Sequence, residues 1–352
     1  MTQRKSNIEL LRIILMLIII SHHYVVNSGL TNLIYGHEYT FKDIYYLLFG
    51  FGGKIAINIF ILITGYFMCT SKITLNKFVK LLFEVEFYKL LTLVFFIVTG
   101  YATFTLKSAI YYLLPITSIW IRFTECYLIF YLLIPFVNKF IKSLSQKEHL
   151  IFILIVLFFF SILGSLSFIS VTINYVTWFI FIYFIGAYIR LYPETKYLKI
   201  INDKKKSLFF LLFFLILAFI SIPYKGYFYV NDVNKILAVL IAVFTFLFFI
   251  NININYNKFI NTAAASTFGI LQIHANSDLM RSWLWENVFN TTYFYHTNVF
   301  ILHSILTVII VYVVCLFIDI VRINCIEKYF LKYFDYCLNK FKNTTVLKNM
   351  VK

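Results

Sequence analysis

Acidic residues, glycine and proline are all scarce in this chain. Its 352 residues include 15 Asp and Glu, 11 Gly and 4 Pro, and charged side chains of both signs make up only 13%. So few charges exclude a soluble enzyme and a disordered tail, because neither a solvated surface nor a self-repelling chain can be made from them. So few glycines and prolines leave long stretches without interruption. Cysteine is limited to Cys69, Cys126, Cys315, Cys325 and Cys337, an odd number without close pairs, which indicates neither a disulfide framework nor a thiolate metal site. What fills the chain is apolar: 61% of residues are hydrophobic, with 42 Phe and 27 Tyr, and the mean hydropathy is +0.85. A soluble globule cannot hide that much apolar surface. The expected class is all-α, with long hydrophobic helices in lipid.

About 20 apolar residues cross a bilayer as a helix. Stretches of that kind lie near 8–26, 46–68, 81–101, 119–138, 150–170, 174–190, 207–223, 236–252, 263–283 and 298–320, which gives ten candidate spans. The second and ninth are the least apolar, with Lys54 and Asn58 in one and His274, Asp278 and Arg281 in the other; polar groups in lipid are costly enough to be buried or functional. Arg4 and Lys5 ahead of an apolar stretch also suit a signal peptide, but His22, His23 and Tyr24 stand where small residues would mark cleavage.

The formal charge of +16 would suggest nucleic acid in a soluble protein. Here its placement matters more. With the N-terminus inside, Lys42, Lys107, Lys225 and Lys235 are the only basic residues in outer loops, while most of the 31 Lys and Arg fall in cytoplasmic segments. That asymmetry orients both termini to the cytoplasm and matches basic residues to the anionic inner leaflet, so membrane lipid and not nucleic acid is the expected partner. Only Arg12, Lys54, Lys89, Arg122 and Arg281 fall within the spans. No repeat, linker or low-complexity stretch divides the chain. The expected organisation is a transmembrane domain over 1–322 and a basic amphipathic cytoplasmic tail over 323–352.

Arg12 and His23 are eleven residues apart. Eleven steps of about 100° return to within roughly 20° of the starting direction and advance about 16 Å along the axis. One face of the first span therefore carries a cation at its cytoplasmic end and a base towards its outer end. Taken singly, Arg12 also suits a lipid-phosphate anchor and His23 an interfacial histidine. His22 points about 100° away from His23, so one stripe cannot use both.

The stretch Asn7-Ile8-Glu9-Leu10-Leu11-Arg12 through His22-His23-Tyr24 resembles the opening helix of the acyltransferase 3 family, whose hallmark is Arg-x10-His. The segment Ile57 to Met68, with Thr64-Gly65-Tyr66, is similar to the family's hydrophobic segment ending in Ser/Thr-Gly-aromatic. Cys126-Tyr127-Leu128 through Asn138 resembles its fourth helix, and Ser266-Thr267-Phe268-Gly269 through His274 its ninth. The resemblance implies a ten-helix membrane enzyme that takes an acyl group, usually acetyl, from acyl-CoA in the cytoplasm, with acetyl-CoA as the expected donor. The implied acceptor is a hydroxyl on a glycan or lipid-linked sugar, often at the outer face. Arg12 then lies where a CoA phosphate arrives, and His23 does general-base work near pH 7. No metal is implied.

The chain departs from the family pattern where an Arg-rich stretch would lead into the third helix; it has Lys72, Lys77 and Lys80, then Glu84 and Glu86. Lys77 and Lys80 are candidates for cofactor binding, as point charges without the bidentate fork of arginine. The family's Trp-Phe pair is here Trp120 and Phe123, separated by Ile121-Arg122. Arg122 and Glu125, three apart, suit either an ordinary ion pair or the orientation of sugar and imidazole, with Glu125 a candidate catalytic carboxylate. On the ninth span His274, Asp278 and Arg281 fall on one helical stripe, where the carboxylate either fixes the imidazole tautomer or forms a polar lock between helices. Trp120, Arg122, His274 and Asp278 are the candidates for acceptor binding. No His-x3-His or Cys-x2-Cys spacing occurs, so zinc is not expected. His37 and His149 are expected in solvated loops, and His296 and His303 flank the last helix. A polysaccharide polymerase or lipid-linked sugar flippase is the competing class; the first calls for a large outer loop and the second for more helices. A homo-oligomer is compatible with the sequence.

Overall fold

A computed structural model of the chain describes residues 5–117 and 122–343, and all regular structure among them is helical. The main helices are α1 (Ser6–Val26), α2 (Phe41–Gly50), α3 (Gly53–Met68), α4 (Leu75–Val98), α5 (Phe123–Ser143), α6 (Gln146–Val156), α7 (Tyr175–Leu191), α8 (Lys204–Lys225), α9 (Ile236–Ile250), α10 (Lys258–Ala265), α11 (Thr267–Ala275), α12 (Asp278–Ser282), α13 (Phe300–Arg322) and α14 (Lys328–Asn343). Their starts follow local chemistry. Thr40 with Asp43 and Ser145 with Glu148 form capping boxes at α2 and α6, and the Asp203 side chain accepts from the N–H groups of Lys205 and Lys206 at α8. Each satisfies donors that the helix itself leaves free.

Six helical runs are long and apolar enough to cross a membrane: Ser6–Val26, Phe41–Met68, Phe123–Ser143, Gln146–Ser165, Lys204–Lys225 and Phe300–Lys340. The other four expected spans differ for identifiable reasons. Leu75–Val98 is long enough but carries Glu84, Glu86 and Lys89 in its interior. Tyr175–Leu191 and Ile236–Ile250 are shorter, at 17 and 15 residues. The segment expected as one span over 263–283 is broken: Ser266 separates α10 from α11, and Asn276 and Ser277 separate α11 from α12. Phe209, Phe213, Ile216 and Ile220 on α8, and Ile309, Ile310, Val313 and Phe317 on α13, are exposed, as lipid permits and water does not.

α3 and α7 form the tightest part of the core. A side chain at Gly186 would strike the backbone of Leu62 and Tyr66, and one at Gly65 would strike that of Tyr183, so the two helices touch through glycines. Asn58 on α3 accepts from Trp178 Nε1 at 2.9 Å and donates to the Val233 carbonyl at 2.7 Å, which disposes of an amide that lipid would penalise. The final helix does not stop at Arg322. It continues through a wider turn over Ile323–Glu327 into α14, where Phe330 stacks on Phe83 of α4 at 4.0 Å and Asp335 accepts from Asn76 at 2.6 Å. Residues 344–352 of the tail lie outside the described residues.

Candidate active site

A cavity of about 510 Å³ opens between α1, α3, α4, α5 and the α11–α12 segment. It follows α1 from Arg12 to Asn27, a path of about 22 Å at helical rise. Arg12, Thr64, Glu84 and Tyr127 line one end, and His22, His23, Lys54, Lys89, Arg122 and Arg281 the other. All five basic residues that the sequence places inside spans therefore border one cavity. Burying cations in lipid is costly unless they face a polar interior, and here they do.

Arg12 is half-buried, and its Nε is buried without a hydrogen-bond partner among the described residues. An unpaired guanidinium nitrogen on a cavity wall is poised for an anion.

At the other end α1 comes close to α3 because position 53 has no side chain; a Cβ there would meet the His22 ring. His22 Nδ1 lies 2.6 Å from the carbonyl oxygen of Gly50, which the break between α2 and α3 leaves without its helical donor. His22 and His23 both line the cavity, so helical rotation does not separate them as the sequence suggested.

His23 Nδ1 lies 3.0 Å from His274 Nε2, and His274 Nδ1 lies 2.6 Å from the Ile270 carbonyl one turn back on α11. A carbonyl only accepts, so His274 Nδ1 carries the proton and, in the neutral ring, its Nε2 is an acceptor. His23 Nδ1 must then donate. The lone pair of the neutral His23 ring is therefore on Nε2, which has no partner among the described residues. A single backbone carbonyl thus fixes both tautomers, and the ring that borders the cavity is prepared to take a proton.

The Arg12 end is backed by a buried ionic cluster that sequence reading did not find. Arg322, with its side chain 2% exposed, meets Glu84 at 3.1 Å, Asp319 at 2.8 Å and Glu327 at 2.5 Å. Tyr88 donates to Asp319 at 2.7 Å and Lys80 reaches Glu327 at 2.6 Å. Gly269 allows α11 to lie on Asp319, since a side chain at 269 would occupy the carboxylate's position. The cluster ties α4, α11 and α13 together beside the cavity.

Several expectations change. His274 is 1% exposed and does not line the cavity; it stands behind His23. Asp278 does not fix its tautomer, because the chain breaks between α11 and α12; its exposed carboxylate instead pairs with Arg281 and lies 3.6 Å from Arg122. Glu125 lines the cavity and accepts from the N–H and hydroxyl of Thr117 at 2.6 and 2.9 Å, with Arg122 at 3.8 Å. Lys77 donates to the Lys72 carbonyl at 3.0 Å and Lys80 to Glu327, and neither lines the cavity; they stand about one turn before Leu81 and Glu84, which do. Trp120 lies outside the described residues. His149 is not in a solvated loop. It is fully buried on α6, bonded to the Phe184 carbonyl at 3.0 Å. No cluster of metal-ligating side chains occurs among the described residues.

Residues 5–320 match the sequence model of the acyltransferase 3 family, described as an acyltransferase domain. The chain belongs to that family. No curated protein and no solved structure matches it significantly. Family and fold together make it a multi-pass membrane acyltransferase, and the cavity lies among the family's own segments. Lys54, Lys89 and Glu84, noted in the sequence but given no role, and Gln272, which was not singled out, also line the cavity; the signal available for each is a polar residue inside an apolar stretch.

Proposed function

We propose that this acyltransferase moves an acetyl group from cytoplasmic acetyl-CoA to a hydroxyl of a cell-surface or lipid-linked polysaccharide, with His23 as general base. The observation that carries the reading is the cavity itself, which joins an unpaired Arg12 nitrogen to the open lone pair of His23. Arg12 holds a CoA phosphate, and the extended thioester arm follows α1 towards His23. Lys77 and Lys80, at the start of α4, draw the nucleotide to the entrance.

In the transfer His23 Nε2 takes the proton from the acceptor hydroxyl as its oxygen attacks the thioester carbonyl. The carbon–sulfur bond breaks, and the proton passes to the departing thiolate, giving the acetyl ester and free CoA. The His23 imidazolium formed in between still donates through Nδ1 to His274. Glu125, Arg122 and Asp278, with Trp120 nearby in sequence, form the acceptor side.

The two substrates approach from opposite faces of a ten-span bundle with both termini in the cytoplasm, in a bacterial plasma membrane. Supporting this orientation are the basic residues of the alternate loops and the confinement of acetyl-CoA to the cytoplasm. Purified protein in detergent, given radiolabelled acetyl-CoA and a panel of glycans, is expected to release free thiol and form labelled ester. Absence of thiol release with every acceptor, and of slow hydrolysis without one, would overturn the proposal.

A further inference from the structure

Four of the five cations within spans gather at the His23 end of the cavity: Lys54, Lys89, Arg122 and Arg281. The carboxylates lining that end are Glu125 and Asp278; adding Glu86, one turn before Lys89 on α4, still leaves the cations in excess. Arg281 pairs directly with Asp278, but the partners of the other three are weaker. Lys54 donates to the Tyr175 hydroxyl at 2.7 Å and Lys89 to the Leu114 carbonyl, both neutral groups, and Lys54 has no carboxylate within ion-pair distance among the described residues. Arg122 lies 3.6 Å from Asp278 and 3.8 Å from Glu125, beyond hydrogen-bond range, and makes no hydrogen bond to a described residue. Its guanidinium instead leans on the Tyr111 ring at 5.7 Å, which orients the planar fork without occupying its donors. A guanidinium oriented by a ring and held by its carboxylates only at ion-pair distance, and an ammonium without a carboxylate partner among the described residues, line the same cavity, and the two together suit an oxyanion.

We infer that the acyl acceptor is anionic, and that Arg122 and Lys54 bind its carboxylate or phosphate while the hydroxyl to be acylated faces His23. The inference rests on the acyl-transfer reading above and names its acceptor class. The oxyanion has two sources, a carboxylate on the glycan or the diphosphate of a lipid carrier. Lys54 and Arg281 lie close enough to His23 for their charges to reach its ring, so the anion and the reacting hydroxyl belong to neighbouring parts of one acceptor.

The test uses the full chain in detergent with acetyl-CoA and matched acceptors: an oligosaccharide of hexuronic acid, its carboxyl-reduced counterpart, and a neutral glycan both free and on a polyprenyl diphosphate. One charge-assisted hydrogen bond makes about a tenfold difference or more. The expected result is a preference of at least that size in kcat/KM for one anionic member over its neutral counterpart. It weakens as salt is raised, disappears in Arg122→Gln and is partly kept in Arg122→Lys. Preference for the hexuronate assigns the anion to the glycan, and preference for the lipid-linked form assigns it to the carrier. If Arg122→Gln does not accumulate, Lys54→Gln is expected to reduce the same ratio. Equal use of all four acceptors overturns the inference and leaves acyl transfer standing; no thiol release with any acceptor or without one removes both.

Discussion

Nδ1 of His23 on α1 and Nε2 of His274 on α11 are 3.0 Å apart, and the second ring is tied to the Ile270 carbonyl at 2.6 Å. The pair makes His274 a positioning residue, because it determines which nitrogen of His23 is free without itself reaching the cavity. His274→Ala is expected to lower kcat about 10- to 100-fold, the worth of about 1.5–3 kcal/mol for one hydrogen bond to the imidazolium, with little change in KM for acetyl-CoA. His274→Gln places a carbonyl oxygen where Nε2 was and should recover part of the loss. Equal activity in the two variants would remove the tautomer role.

His23→Ala removes the base itself. Acyl transfer should fall about 10²- to 10⁴-fold while the protein accumulates in membranes at the normal level. Activity within a few fold of the unaltered protein would transfer the role to His22, whose ring centre lies 5.9 Å away.

Arg12 stands at the opposite end of the cavity and should behave as a binding residue. Arg12→Ala is expected to raise KM for acetyl-CoA about tenfold or more, with Arg12→Lys intermediate, since lysine keeps the charge but not the fork. An unchanged affinity for CoA by calorimetry would assign Arg12 to anchoring on lipid.

Arg322→Ala should act on stability. Removing the cation strands Glu84, Asp319 and Glu327 in a buried setting, and breaking a buried pair costs about 3–5 kcal/mol. A lower Tm in detergent is the readout, with Arg322→Lys closer to the unaltered protein. An unchanged Tm would mean that the three carboxylates are not held charged by Arg322.

Gly186→Ala probes the α3–α7 contact. The added methyl meets the backbone of Leu62 and Tyr66, which cannot turn aside as a side chain would, so a loss of about 1–3 kcal/mol from overpacking is expected. A Tm equal to that of the unaltered protein would show that the helices have room to separate there.

The helical class, the membrane and the family were legible in the sequence, because each follows from composition, the length of apolar runs or local order of residues. So were Arg12 and His23, because helical periodicity alone aligns two residues on one straight span. The five cations inside spans also stood out singly, since lipid makes each of them costly, but nothing local said that they share a cavity. That required α1, α3, α4, α5 and α12 to be brought together. The His274 assignment shows the same limit. Spacing joined it to Asp278 on an unbroken helix, whereas Asn276 and Ser277 end that helix and packing of α11 on α1 gives its Nε2 to a residue 251 positions away. Arg322 read as the last residue of the transmembrane domain, with no role assigned, and became the buried centre of an ionic cluster, because Glu84 comes from α4 and Glu327 from the turn after α13. Periodicity determines which residues share a face; only the packing of helices distant in sequence decides what that face meets.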